Sequence, residues 1–190
     1  MNQRTALVVG ATGLVGSQLL DLLLTDTYYH TVVSLSRRLI DRSHERLVQF
    51  IVDYERLDDA EELVTADDIY CCLGTTMARA GSRAAFRQVD YEFVVKVATL
   101  AQRNGGTARF LLVSSVGADA HSGNFYLQTK GETEGAIKSL GFSHTVLARP
   151  SLLLGPRGER RPAESLAQKI LPALSFLLIG PLKKYRPILR

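Results

Sequence analysis

The chain has 190 residues, 46% of them hydrophobic, enough for one domain with a real core. No apolar run reaches the ~20 residues of a membrane span, no basic segment followed by an apolar run opens the chain as a secretory signal would, and the two cysteines, Cys71 and Cys72, are adjacent, which excludes a disulfide framework. The net charge of +4 is concentrated late: eight of the 23 Lys and Arg residues lie beyond position 150, against two of the 19 Asp and Glu.

Residues 5–9, Thr-Ala-Leu-Val-Val, form a short, partly β-branched apolar run that reads as a buried strand. Gly10-Ala11-Thr12-Gly13-Leu14-Val15-Gly16 follows, and then residues 17–24, which read as a helix. A strand, three glycines at spacing three and a helix make the phosphate-gripping turn of a dinucleotide-binding βαβ unit. Gly10 turns the chain off the strand, Gly13 lets backbone approach a pyrophosphate, and Gly16 lets the helix pack close to the sheet. The N–H groups of the first helical turn and the helix dipole then favour the phosphate charge.

Further apolar runs at residues 31–36, 47–52, 68–73, 109–114 and 143–147 predict five more strands. Residues 60–65, 84–104 and 125–140 predict helices. In the long one, Phe86, Val89, Phe93, Val94, Val97 and Leu100 recur on one face, and Gly105-Gly106 ends it. Nearly continuous apolar strands alternating with helices predict an α/β fold, a doubly wound parallel sheet of the Rossmann type, as a single domain over residues 1–190. Residues 151–190 are expected to be a C-terminal segment on the substrate side.

The end of the second strand selects the dinucleotide. An acidic residue there would bond the adenosine ribose and repel a 2′-phosphate. This chain has Ser36-Arg37-Arg38 instead, and guanidinium groups suit a 2′-phosphate. NADPH is therefore expected over NADH. Asp53, just past the third strand, is placed either to bond the adenine amino group or to serve as a turn residue.

Tyr126 and Lys130 lie four apart on a predicted helix and share its face. The helix follows the fifth strand, whose end carries Ser114 and Ser115, in the region where such a sheet builds its active site. A phenol ordinarily ionises near pH 10, and a neighbouring ammonium favours phenolate. Tyr126 then reads as the proton donor to a substrate carbonyl oxygen, Lys130 as its partner and as a holder of the nicotinamide ribose, and a serine as the group that orients the carbonyl and steadies oxyanion charge. Adjacent strand residues face opposite ways, so one serine points into the site, and Ser115 is the favoured one.

These segments, with Cys72-Leu73-Gly74-Thr75-Thr76, Ser114-Ser115-Val116-Gly117-Ala118-Asp119, Tyr126-Leu127-Gln128-Thr129-Lys130-Gly131-Glu132, Arg149-Pro150 and Arg161-Pro162, resemble an atypical short-chain dehydrogenase/reductase. The likeness is most specific to the Tat-interacting-protein type of NAD(P)-binding oxidoreductase. The resemblance implies that Leu73, Gly74 and Thr75 lie along the cofactor, that Arg37 meets the adenosine phosphate, that Tyr126 and Lys130 are catalytic, and that Arg161 reaches the cofactor.

The leading functional expectation is an NADPH-dependent reductase of a small carbonyl or quinone in the cytoplasm. The alternative is a non-catalytic NADPH-binding regulator that senses redox state and binds a protein partner. A sugar-nucleotide epimerase or dehydratase is disfavoured by the short region after the sixth strand. The basic tail reads as a solvated rim near an anionic ligand, with no nucleic-acid-binding motif beside it. The histidines, His30, His44, His121 and His144, have no metal-ligand spacing. Substrate identity and oligomeric state stay open at this level.

Overall fold

The computed structural model describes residues 4–151. Six parallel strands, β1 (Arg4–Val9), β2 (Tyr29–Ser36), β3 (Leu47–Ile51), β4 (Asp68–Cys71), β5 (Arg109–Val113) and β6 (His144–Ala148), form one sheet in the order β3-β2-β1-β4-β5-β6. The chain starts at the centre, walks out to one edge, returns past its start and walks out to the other. The reversal opens a crevice at the carboxyl ends of β1 and β4, the position where doubly wound sheets hold ligands. The predicted parallel α/β architecture is the observed one.

Alternation along β1 builds two cores. Leu7 and Val9 join Ile69, Cys71, Phe110 and Leu112 on one face, against Val94, Val97 and Ala101 of helix α4 (Phe93–Asn104) and Ile137 of α5 (Phe125–Ser139). Ala6 and Val8 face the other way, against Leu20, Leu23 and Leu24 of α1 (Leu14–Thr25). Among the described residues, no helix is long and apolar enough to cross a membrane.

Two predicted helices differ from those observed. The helix expected at residues 60–65 is instead a 3₁₀ segment over Tyr54–Leu63, broken by non-helical backbone at Arg56 and Ala60. Its Glu55, Asp58, Asp59, Glu61 and Glu62 place like charges three and four apart, which disfavours a regular α-helix, while Asp53 starts the segment by accepting a hydrogen bond from Glu55 N at 3.0 Å. The helix expected at 84–104 begins at α3 (Arg83–Arg87) and passes through a π-helical turn, Gln88–Glu92, before α4. A short α2 (Met77–Ala80) precedes it, capped by Thr76 Oγ1, which accepts from Arg79 N at 3.1 Å.

At the amino end of the sheet, the first residues of four strands meet. Asp68 is buried and receives Arg4 Nη2 at 3.2 Å, Arg109 Nε and Nη2 at 2.7 Å each, and the Tyr29 hydroxyl at 2.7 Å. Burial pushes the Asp68 carboxyl up, but the hydrogen bonds from Arg109 and Tyr29 and the nearby guanidinium charges outweigh it and hold the group below the usual carboxylate range.

Candidate active site at the carboxyl end of the sheet

Gly10 leaves β1 with φ +85°, and a Cβ there would lie 2.8 Å from the Cys72 carbonyl. Only glycine permits both that conformation and that approach. Gly13 N donates to Gly10 O at 3.1 Å, and Gly13 is the N-cap of α1 without any side-chain cap. No acidic residue stands in the first turn of α1. Its leading N–H groups and positive dipole end are thus left for an anion. The turn is a cradle that fits a pyrophosphate.

Along the same end of the sheet, Arg37 and Arg38 follow β2 and are exposed. Their loop is shaped by Ser36 Oγ, which donates to Arg38 O at 2.6 Å. Among the described residues, neither guanidinium has an ion pair or a side-chain hydrogen bond. Beneath them, Tyr54 donates to Leu35 O at 2.8 Å and stacks on Phe93, with ring centroids 5.6 Å apart. One Asp53 oxygen caps the 3₁₀ segment, as the turn-residue reading expected. Leu73, Gly74 and Thr75 run on from β4, whose end is tied to β1 by Cys72 N donating to Val9 O at 2.8 Å. Cys71 and Cys72 are free thiols, and burial pushes them up to about 11 and about 12, which disfavours the thiolate form.

Helix α5 carries the predicted pair. Asn124 caps it by accepting from Leu127 N at 3.2 Å. Tyr126 is half-buried, and its ring leans on Phe86 of α3 with centroids 5.5 Å apart. Lys130 is buried one turn further on. Helix and serine loop are pressed together at Gly131, where any Cβ would run into the backbone of Asp119 and Ala120. The two serines separate as alternation predicts: Ser114 is buried and faces the Glu134 carboxylate, itself paired with Arg149, while Ser115 is half-buried with its hydroxyl 3.3 Å from the carbonyl of Val116. Arg161 lies outside the described residues.

Sequence reasoning missed Asp90. It sits in the π-helical turn, 1% exposed, and its Oδ1 lies 2.7 Å from Lys130 Nζ. Burial, only partly countered by Lys130 and the Thr75 N–H, pushes its carboxyl up. A signal was present: Asp90 is four residues after Phe86 and three before Phe93, on the apolar stripe itself. A carboxylate there must find a partner.

A glycine cradle on β1–α1, exposed arginines after β2 and a tyrosine–lysine helix after β5 define a Rossmann-fold protein of the dinucleotide-binding class. The profile of a family described as NAD(P)H-binding matches residues 10–169, and the chain belongs to that family. It is 37% identical over 178 residues to Protein HTATIP2 of Rattus norvegicus, spanning 92% of this chain and 73% of the relative. It is also 37% identical over 169 residues to the mitochondrial Protein FMP52 of Candida albicans, spanning 86% and 73%. Among solved structures, it resembles the GalE-like L-threonine dehydrogenase of Cupriavidus necator with a TM-score of 0.68 at 19% identity, over 89% of this chain and 61% of that one. The UDP-glucuronic acid 4-epimerase of Bacillus cereus in complex with NAD gives 0.67 at 18%, over 89% and 63%. At such identities the structural likeness speaks for the fold alone.

Proposed function

We propose that this chain is an NADPH-dependent reductase of a small carbonyl or quinone, with Tyr126, Lys130 and Ser115 at the reacting end. The observation that carries the reading is a half-buried phenol one helical turn from a buried ammonium, on a helix packed against the serine loop. Residues 10–16 would hold the pyrophosphate, Arg37 and Arg38 the 2′-phosphate, and Leu73, Gly74 and Thr75 the stretch towards the nicotinamide, with Asp53 at the adenine end and Arg161 reaching the cofactor. Bound there, NADPH would supply the hydride that reduces the substrate carbon. Tyr126 donates its hydroxyl proton to the carbonyl oxygen, which becomes an alcohol. Ser115 donates a hydrogen bond to the same oxygen and steadies the charge that develops there. Lys130 positions the ribose hydroxyls. The reading extends to one domain over residues 1–190, residues 151–190 forming the substrate side, in the cytoplasm.

Turnover of NADPH with a panel of quinones, aldehydes and ketones tests it. Tyr126→Phe is expected to lower kcat about 10²–10⁴-fold, the usual worth of a general acid, with NADPH affinity retained. Undiminished turnover in that variant would sink the proton-donor assignment. Arg37→Ala is expected to weaken NADPH about ten- to hundredfold, the worth of one charge-assisted bond, and to leave NADH unchanged. Equal losses for both dinucleotides would remove the 2′-phosphate reading.

A second reading has one observation in its favour. The Lys130 ammonium is already committed to Asp90, so it has less charge to spend on a phenol. Tight NADPH binding without turnover in the wild type would favour the non-catalytic regulator with a protein partner.

A further inference from the structure

Asp90 lies in the π-helical turn, and three contacts from two other parts of the structure, α5 and the loop after β4, converge on it. Its Oδ1 lies 2.7 Å from Lys130 Nζ, with side-chain exposures of 0% and 7%. Its Oδ2 accepts the backbone N–H of Thr75, in the loop after β4, at 2.8 Å. Its main-chain carbonyl accepts from Thr133 Oγ1 of α5 at 2.9 Å. The π-helical turn places it there: a local change of pitch re-aims a side chain within a helix and recurs at functional sites.

The surroundings isolate the pair. From β4, the group that faces it is the neutral Cys71 thiol, and α5 contributes Lys130 itself with Tyr126 one turn before. The loop after β4 contributes only backbone, and Gly74 covers the pair so closely that a Cβ would lie 3.3 Å from Asp90 Oδ1 and 3.6 Å from Lys130 Nζ. A buried ion pair is a poor device for stability, since apolar residues of similar volume do as well or better. Its place, between the lysine and the loop, gives it a different use.

We propose that Asp90 is a positioning residue: it supplies the counter-charge of Lys130 and clasps that lysine to the Thr75 backbone, so that lysine and loop meet the nicotinamide ribose as one unit. The proposal rests on the reading that Lys130 and residues 73–75 line the NADPH site.

The test is NADPH affinity of the full chain, by fluorescence titration, at about pH 6.5 and about pH 9, a span that covers the range between ordinary histidine and lysine ionisation. Wild type, Asp90→Asn, Lys130→Met and the double variant are compared. Asparagine keeps the shape and the acceptor for Thr75 N–H but removes the counter-charge. Burial then favours the neutral amine as pH rises. Asp90→Asn is expected to bind nearly as wild type at the lower pH and roughly tenfold more weakly at the higher, the worth of one charge-assisted bond, while the wild type changes little. The double variant is expected to bind no worse than Lys130→Met alone, because the two residues act through one clasp.

An equal loss at both pH values would mean a merely structural role and would overturn the proposal, as would wild-type affinity at both. Should Asp90→Asn not fold, thermal melting reads the clasp instead. The double variant should melt above Lys130→Met, which leaves a buried carboxylate unpaired, and a lower melting point overturns the pairing. A wild type that does not bind NADPH defeats the cofactor reading first, and that result is distinct from all of these.

Discussion

The two ends of the sheet use buried charge in opposite ways. At the amino end, Asp68 is surrounded: two guanidinium groups and a phenol share its oxygens, Tyr29 passes on to the Tyr70 hydroxyl at 2.7 Å, and both arginines lie over the Tyr28 ring. At the carboxyl end, Asp90 has one cation and one backbone N–H, and two of the predicted site residues, Tyr126 and Ser115, are half-buried, the Tyr126 hydroxyl with no hydrogen-bond partner among the described residues. The first arrangement closes a network and fixes where four strands begin. The second leaves donors facing a crevice. A buried polar cluster whose capacity is used up serves the fold, and one with capacity left over is where a ligand completes the accounting.

The largest effect is expected at the saturated end. Asp68→Asn removes a carboxylate that is 2% exposed from between Arg4 and Arg109, which are 23% and 41% exposed. Breaking a fully buried pair costs about 3–5 kcal/mol. Arginines that reach water recover part of that, so about 2–3 kcal/mol is expected in urea unfolding at neutral pH. NADPH affinity of the folded variant should be untouched. The sign with pH follows from the depressed carboxyl: its contribution is complete above the ordinary carboxylate value near 4 and is lost as pH falls through the lower folded value. The gap between wild type and Asp68→Asn should therefore close only in acid below about pH 4. A gap that persists there, or a fall in NADPH affinity, would mean the two ends are not separable.

Much of this division was legible beforehand, for local reasons. The glycine turn, the strand order implied by alternating elements, the paired arginines after β2 and the Tyr126–Lys130 spacing are all short-range patterns, and each sits where the pattern put it. What escaped is what depends on pitch and on distance along the chain. Asp90 meets Lys130 across forty positions of sequence through a π-helical turn that a 3.6-residue period cannot anticipate. Its presence on the stripe of Phe86, Phe93 and Val97 was the available hint. The 3₁₀ segment at Tyr54–Leu63 escaped for a different reason: its acidic residues stand three and four apart and repel along a shared helical face, which disfavours the regular helix expected there. Arg4, Tyr29, Asp68 and Arg109 were invisible as a cluster because each is merely the first residue of its own strand, and only the parallel register, Asp68 beside Arg109 and Arg4 beside Tyr29, assembles them.

The smallest effect is expected at Gly74, beside the Asp90–Lys130 pair. Gly74 is exposed and its backbone is not left-handed, so alanine fits its conformation. The added Cβ would sit 3.3 Å from Asp90 Oδ1, tight enough to require a shift of a few tenths of an ångström in the clasp. Surface substitutions of this kind usually move stability by no more than about 0.5 kcal/mol. NADPH affinity should nonetheless fall about three- to tenfold, equivalent to roughly 0.6–1.4 kcal/mol, because the shift falls on the pair that positions the lysine. Titration of NADPH beside a urea melt of Gly74→Ala reads both. Loss of binding with retained stability here, against loss of stability with retained binding in Asp68→Asn, would separate the two ends into their two uses. If Gly74→Ala binds NADPH as the wild type does, the lysine is reached by some route other than past Gly74, and the open character assigned to this end has to be located elsewhere along the crevice.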